Sequence, residues 1–272
     1  MRRILPVLVA TVVAMGLGAA AGPPPGALPA RILRWHDGDT VEVRFTGEIP
    51  PGVGTRETVR VLGINAPEVG EPYAEEAVRH FRTLTMGKPV YVELSPWERR
   101  DSHSRLLAHL WVEAEEGWVL VSATLLRAGL ARLLVYNPTR ELHYCALLRA
   151  LALAQRDKLG LWGKFPKELS LADLEADPVR YVTEAVTVVF AVARVTSDGP
   201  NLSLWAQGSR YGFRAIVDRA TCPQAWAGVE LSPGELVGQR VVVTGELQWD
   251  SFRGGPRIVV RFPEQLAVKE GG

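Results

Sequence analysis

The sequence has no strong excess of charge, because 31 lysines and arginines stand against 30 aspartates and glutamates. A nearly neutral chain has no global field to attract a polyanion, so any site for nucleic acid must be a local cluster. The body of the chain also lacks an apolar run of about 18 residues, which argues against an internal membrane span. No repeat of about 20–50 residues is visible, which argues against a solenoid or propeller.

Cysteine is scarce, with only Cys145 and Cys222. Export would permit a disulfide between them, and such a bond would tie the two halves of the chain together. Cys145 lies in a predicted helix and Cys222 in a loop-like Thr-Cys-Pro segment. We therefore expect two free or buried thiols rather than a pair.

The amino terminus has the three-part pattern of a secretory signal peptide. Arg2 and Arg3 precede an apolar stretch over 4–17, and small alanines follow at 19–21. An uncleaved membrane anchor is the alternative, but the apolar run is short for a span and small residues follow it. We predict that residues 1–21 are removed and that the protein is secreted, to the extracellular space or the periplasm, with no stable membrane span afterwards.

The next segments predict one β-rich domain with helices. Residues 22–30 are rich in Gly, Pro and Ala and indicate a flexible leader. Over 31–165, Asp37-Gly38 between two short apolar-alternating runs is typical of a hairpin. Three later segments carry helical signals, at 72–86, 119–128 and 139–159. We predict a small β-barrel with about three helices packed on it.

The rest of the sequence, from residue 166 onward, predicts a second barrel. Residues 166–178 are charged and bracketed by prolines, and we assign them as a linker. Over 179–269, three strand candidates, a short irregular or helical stretch near 221–228 and two further strand candidates follow one another. That order is typical of the five-stranded OB barrel. The fold class is therefore mainly β with helices, in two barrels.

Hydrolysis of a phosphodiester requires neutralised charge, a held phosphate and an oriented water. Arginines grip phosphate oxygens bidentately, a carboxylate orients or deprotonates water, and hard cations take oxygen ligands. The first domain supplies each of these residue types, at Asp39, Arg60, Asn65, Glu68 and Arg105. Each of them alone has an ordinary interpretation as a turn, a solvated face or a surface pair.

Taken in order, the motifs of 32–162 resemble the thermonuclease family, whose namesake is the staphylococcal nuclease. The matching runs are 37–41 (DGDTV), 59–68 (VRVLGINAPE), 73–77 (YAEEA), 101–105 (DSHSR), 129–131 (GLA) and 160–162 (GLW). The resemblance implies an OB-type barrel with three helices that hydrolyses DNA and RNA, typically with Ca²⁺.

The resemblance also implies roles for individual residues. The catalytic set is Arg60, Glu68 and Arg105. The residues implied to bind the metal are Asp39 and Asn65, with Asp37 and Thr40 nearby. The residues implied to bind the substrate are Asp101, His103 and Tyr136. Two departures from the family pattern matter most. Asn65 stands where the family has a second metal-binding aspartate, so metal binding should weaken. Ser102 and His103 replace a Lys-Tyr pair beside the nucleotide.

The second domain resembles OB-fold binders of single-stranded nucleic acid, on the runs 240–247 (RVVVTGEL), 254–260 (GGPRIVV) and 263–266 (PEQL). Such barrels stack bases on aromatics and follow phosphates with arginines. The candidates are Trp205, Trp249, Phe252, Arg253 and Arg257. For Trp205 a place in the core is an equal alternative.

Two functions are open at this point. The first is a secreted, metal-dependent nuclease for DNA and/or RNA, single-stranded or frayed, with Ca²⁺ as the expected ion and an accessory OB domain. The second is a catalytically weak or inactive nucleic-acid-binding or scaffold protein on the same barrels. The joint presence of Arg60, Glu68 and Arg105 beside Asp39 favours the enzyme. The oligomeric state is left open.

Overall fold

A computed structural model describes residues 22–115, 117–164 and 168–269. The predicted signal peptide, 1–21, lies outside the described residues. The mainly β prediction with two OB-type barrels is confirmed, and each barrel encloses its own hydrophobic core. No helix in the described ranges is long and apolar enough to cross a membrane.

The first barrel closes through five strands. The strands of this half are β1 (Leu28–Trp35), β2 (Thr40–Phe45), β3 (Arg56–Val61), β4 (Gly63–Asn65), β5 (Val90–Leu94), β6 (Leu106–Ala114), β7 (Gly117–Leu120) and β8 (Arg132–Leu134). The ring runs β1-β2-β3-β6-β5 and returns to β1, with β3 and β6 parallel and the other pairs antiparallel. Strand β7 extends the sheet beyond β6, and β4 pairs with β8 as a separate ribbon.

Three helices pack on this barrel, as the sequence predicts: α1 (Ala74–Thr85), α2 (Val121–Arg127) and α3 (Tyr144–Arg156). The predicted third helix begins earlier than the observed one. Residues 138–140 instead form a single 3-10 turn after Asn137, whose side chain caps it. Glu141, directly after that turn, has an extended backbone conformation, which separates the turn from α3.

Two glycines of the family-like motifs lie where two chain segments touch. A Cβ on Gly129 would meet the Leu159 carbonyl oxygen at 2.2 Å, and one on Gly160 would meet the Gly129 oxygen at 2.3 Å. Both residues have positive φ, which glycine adopts without strain. The Leu161 amide donates to the Gly129 carbonyl. These two glycines therefore fix the end of α2 against the segment that follows α3.

The second barrel repeats the topology of the first. Its strands are β9 (Leu169–Ser170), β10 (Ala185–Asp198), β11 (Asn201–Ala206), β12 (Arg214–Val217), β13 (Arg240–Asp250), β14 (Gly255–Val260) and β15 (Leu266–Lys269), with short helices α4 (Leu171–Ala176) and α5 (Pro233–Leu236). The ring runs β10-β11-β12-β14-β13 and returns to β10, again with one parallel pair, β12–β14. Both rings thus follow the same order of strands.

Two boundary segments differ from the sequence interpretation. Strand β1 begins at Leu28, so the last three residues of the predicted leader belong to the first barrel. The predicted linker contains β9 and α4, and its Leu169 and Leu174 are buried in the second core. Helix α4 begins at a capping box, in which Ser170 and Asp173 bond each other's backbone amides. That Ser-x-x-Asp signal is readable in the sequence.

The two barrels are joined along α3. The expectation of two separate thiols was wrong, because Cys145 and Cys222 form a disulfide with a Cα–Cα distance of 5.8 Å. Their separation of 77 residues obscured the pairing, which depends on α3 lying beside the loop after β12. Leu148 and Phe262 pack together next to the disulfide, and Arg149 forms an ion pair with Glu264.

Candidate active site

The turn between β1 and β2 places Asp39 in a buried position. The Asp39 amide donates to the Asp37 carboxylate at 2.9 Å, which closes the turn. A Cβ on Gly38 would lie 2.5 Å from the Ala66 Cβ and 2.8 Å from the Ala77 Cβ. Glycine at 38 therefore lets the turn pack directly on the loop after β4 and on α1, so that Asp39 and that loop share one small region.

Both oxygens of the Asp39 carboxylate are held. Oδ1 accepts from the Thr40 hydroxyl at 3.1 Å, and Oδ2 accepts from the Ala66 amide at 2.7 Å. The Arg60 Nε lies 3.2 Å from Oδ1. Burial is the largest influence and raises the pKa of Asp39 to about 6, although Arg60 opposes the shift. Burial therefore disfavours the charged form of this carboxylate more strongly than Arg60 and the hydrogen bonds from Ala66 and Thr40 favour it.

Arg60 is fixed by the turn that follows its own strand. Its Nη1 donates to the carbonyl oxygens of Val61 and Ile64, at 2.7 and 2.8 Å, and its Nη2 donates to Asn65 Oδ1 at 3.2 Å. Only 13 % of the Arg60 side chain is exposed. A guanidinium locked in this way is preorganised, because its position is set before any ligand arrives.

Arg105 is held by a carboxylate of its own loop. Its Nε donates to Asp101 Oδ2 at 2.7 Å, and Asp101 Oδ1 accepts from the amides of His103 and Arg105. Partial burial works to raise the pKa of Asp101, but the hydrogen bonds from Arg105 and from these amides lower it on balance. The side chain of Arg105 is 30 % exposed, more than that of Arg60.

Thr40 connects the two arginines. Its hydroxyl oxygen lies 3.4 Å from Arg105 Nη1, while the hydroxyl itself donates to Asp39, which meets Arg60. One hydrogen-bonded network thus contains six of the residues that the sequence singles out: Asp39, Thr40, Arg60, Asn65, Asp101 and Arg105. The bridging position of Thr40 was not foreseen, although its place directly after Asp39 on β2 was a readable signal.

Two predicted residues, Glu68 and Tyr136, make no hydrogen bond or ion pair with this network among the described residues, and His103 joins it only through its backbone amide, which donates to Asp101. Glu68 is exposed; its amide donates to the Glu71 carboxylate, and within the described ranges its own carboxylate has no hydrogen-bond partner. His103 is exposed and lines an open pocket of about 320 Å³ together with Arg105. Tyr136 is 92 % exposed. The roles of all three remain predictions.

Comparison with known proteins bears on this half of the chain. Residues 58–164 match the family model described as Staphylococcal nuclease homologue. The similarity to this family therefore covers 58–164, which is most of the first barrel with its three helices. The matched range contains Arg60, Asn65, Glu68, Asp101 and Arg105, whereas Asp39 precedes it on the strands that complete the same ring.

Curated relatives carry endonuclease names. The chain is 33 % identical over 136 residues to Endonuclease YncB of Bacillus subtilis, covering 47 % of this chain and 58 % of the relative. It is 32 % identical over 135 residues to the SPbeta prophage-derived endonuclease YokF of the same organism, covering 47 % and 42 %. The probable endonuclease LCL3 of Komagataella phaffii is 32 % identical over 116 residues, covering 39 % and 48 %. The chain thus spans about half the length of the curated relatives it matches.

Around Arg60 in the first barrel, the atoms available to bind a metal ion are oxygens. Among the described residues, no three His, Cys, Asp or Glu side chains are grouped as a metal site. The Asp39 carboxylate and the Asn65 amide oxygen both contact Arg60, so they face the same guanidinium. A buried carboxylate beside an amide oxygen offers the kind of oxygen ligands that a hard cation such as Ca²⁺ takes.

In the second barrel, two of the candidate side chains, Trp205 and Arg257, lie in a row across the sheet. Directly paired residues place Arg194, Trp205, Arg214, Arg257 and Gln248 side by side on five adjacent strands. The guanidinium carbons of Arg194 and Arg214 lie 4.2 and 4.9 Å from the centre of the Trp205 ring. Trp205 is therefore neither a core residue nor a bare stacking platform, since arginines already occupy its ring.

The loop between β13 and β14 carries the other candidates. Buried Asp250 forms ion pairs with Arg214 and Arg257 and accepts from the amides of Phe252 and Arg253. Phe252 is 99 % exposed, and Trp249, which lies beside Tyr211, is partly exposed. Sequence reasoning missed Arg194, Arg214 and Asp250, whose importance depends on cross-strand register.

Proposed function

We propose that this chain is a nuclease that hydrolyses phosphodiester bonds of DNA and/or RNA. The observation that carries the proposal is the convergence of two carboxylate-held arginines, Arg60 and Arg105, on the Asp39–Thr40 pair. Positive groups that are already in place stabilise the charge that develops on a phosphate during hydrolysis, without reorganising at the moment of reaction. The endonuclease names of the relatives are consistent with this chemistry.

The two arginines would act differently. Three of the five N–H donors of Arg60 already have hydrogen-bond acceptors and its Nε forms an ion pair with Asp39, so it serves mainly as a fixed charge. Arg105 is more exposed, and its Nη1 donates a long hydrogen bond to the Thr40 hydroxyl. We assign direct gripping of the phosphate to Arg105, and Glu68 to orienting or deprotonating the attacking water.

A divalent ion, with Ca²⁺ the first expectation, would be held by Asp39 and Asn65. When bound, it supplies positive charge that polarises the phosphate. Asn65→Asp restores a second carboxylate ligand and should lower the metal concentration that gives half-maximal activity. Titration of activity against Ca²⁺ in both proteins, with Asn137→Asp as a charge-matched control, tests this assignment. An unchanged half-saturating concentration in Asn65→Asp would remove Asn65 from the metal shell.

We propose secretion on the amino-terminal pattern of 1–21 and on the disulfide, since disulfides persist in oxidising compartments. Expression in a bacterial host, followed by fractionation and intact-mass measurement, tests the proposal. The expected product is an exported chain that starts near residue 22. A full-length product retained in the cytosol would contradict secretion.

We propose that the second barrel binds single-stranded substrate through Trp249, Phe252, Arg253 and Arg257. Exposed aromatics beside arginines are the residues that such binding uses. The double variant Trp249→Ala/Arg253→Gln should bind a long single strand more weakly at low salt, and the gap should shrink as salt rises. Equal affinity of the variant and the parent at low salt would favour a purely structural role for this barrel.

A further inference from the structure

Three arginines form a row on the outer face of the first barrel. Arg31 on β1 pairs directly with Arg44 on β2, and Arg44 pairs directly with Arg56 on β3. All three are exposed. Directly paired residues share a face of the sheet, so the three guanidinium groups project from one line across adjacent strands.

The row concentrates positive charge on a chain that is neutral overall. Arg34 on β1 lies on the same face, nearer the candidate active site. It pairs directly with Glu42, and the Glu42 carboxylate forms an ion pair with Arg56. Arg31 and Arg44 make no hydrogen bond or ion pair with any residue that the structure describes. Like charges placed directly opposite one another destabilise a sheet, so packing alone gives no reason for this arrangement.

The row is continuous with the candidate active site. Arg56 precedes Arg60 by four residues on the same strand, a distance of about 13 Å at roughly 3.3 Å per residue. One open pocket is lined by both Arg56 and Arg105, together with Glu42, Glu57, Thr58, His103 and Ser104. A flexible polyanion that reaches Arg105 therefore meets the row next.

We propose that the row Arg31–Arg44–Arg56 is a phosphate-binding track for the part of a nucleic-acid strand that extends beyond the cleaved bond. This inference rests on the proposed nuclease function and extends its substrate from a single phosphodiester to a strand several nucleotides long. The track recognises phosphate charge and not base sequence, because guanidinium groups on an exposed sheet contact the backbone of the strand.

The test compares the double variant Arg31→Gln/Arg44→Gln with the control Arg79→Gln/Arg240→Gln, which removes two exposed arginines elsewhere. Binding of a fluorescent 20-nucleotide single strand is measured by fluorescence anisotropy at several salt concentrations. EDTA is present throughout, so that binding is measured without metal-dependent hydrolysis. Loss of two phosphate contacts should reduce the salt slope by about 1.4 and weaken binding by roughly tens of fold at low salt. The control should match the parent protein.

An unchanged slope in the track variant, or an equal fall in the control, would overturn the proposal. The melting temperature separates a binding role from a structural one, since removing like charges should leave it unchanged or raise it. A parent protein that binds the strand but does not hydrolyse it with Ca²⁺ would sink the proposed nuclease function. The binding comparison would still decide the track.

Discussion

The disulfide between Cys145 and Cys222 offers a quantitative prediction about how the barrels are joined. It links α3 to the loop after β12 across 77 residues of chain. The double variant Cys145→Ala/Cys222→Ala removes this link and leaves the other contacts between the barrels in place, among them the Arg149–Glu264 ion pair. The native arrangement should therefore persist, while the unfolded chain gains freedom.

The magnitude follows from the entropy of closing a loop. For a loop of this length the chain-entropy model gives about 4.5 kcal/mol at 25 °C, and measured losses for native disulfides are about 2–5 kcal/mol. We expect the free energy of unfolding to fall by an amount within that range. A loss at the upper end would remove a large share of the stability of an ordinary domain.

Urea unfolding followed by tryptophan fluorescence measures this difference. The parent protein treated with a dithiol reductant is the matched control and should show a similar loss. A fall of less than about 1 kcal/mol in both samples would refute the reasoning, because it would mean that the link does not restrict the unfolded chain.

Three further predictions concern the site. Gly38→Ala should cost about 1–3 kcal/mol of stability and lower activity, because its Cβ would press on Ala66, whereas Gly234→Ala, which has open space around it, should cost little; urea unfolding and a cleavage assay on both variants check this. The free energy of unfolding of the parent protein relative to Asp39→Asn, measured in EDTA, should fall by about 2 kcal/mol between pH 4 and pH 6. A folded-state pKa of about 6 against 3.8 means that the folded protein keeps a proton that the unfolded chain has lost, so parallel stability curves would contradict the buried position of Asp39. Asp101→Asn should lower turnover, because the Arg105 guanidinium loses its charged partner; unchanged steady-state rates would show that Asp101 does not position Arg105.

Much of the fold was predictable from local signals. The Asp-Gly hairpin, the alternating apolar strands and the helical spacing of Ala77 and Phe81 indicated a barrel with helices, because burial of one face imposes its period on the sequence. Features that depend on contacts between distant segments were not predictable. The Cys145–Cys222 bond depends on how α3 docks on the second barrel, which no local pattern specifies.

The candidate site divides in the same way. Its residue types were visible in sequence, but their connections were not. The hydroxyl of Thr40 joins two arginines through strand register and turn geometry, and the arginine row on β1–β3 exists only through pairing. Glu68 and Tyr136 lie on exposed segments whose contacts depend on a substrate, so the protein alone does not place them.

The central claim is that Arg60 and Arg105 hold and stabilise a phosphate during hydrolysis. The most direct measurement is the rate at which the purified protein cleaves a labelled single-stranded DNA in the presence of Ca²⁺. Arg60→Gln, Arg105→Gln and the control Arg79→Gln are compared with the parent, with folding checked by circular dichroism. We predict losses of about 10²–10³-fold in the first two variants and a rate close to that of the parent in the control. Parental rates in a folded Arg60→Gln or Arg105→Gln protein would contradict the claim.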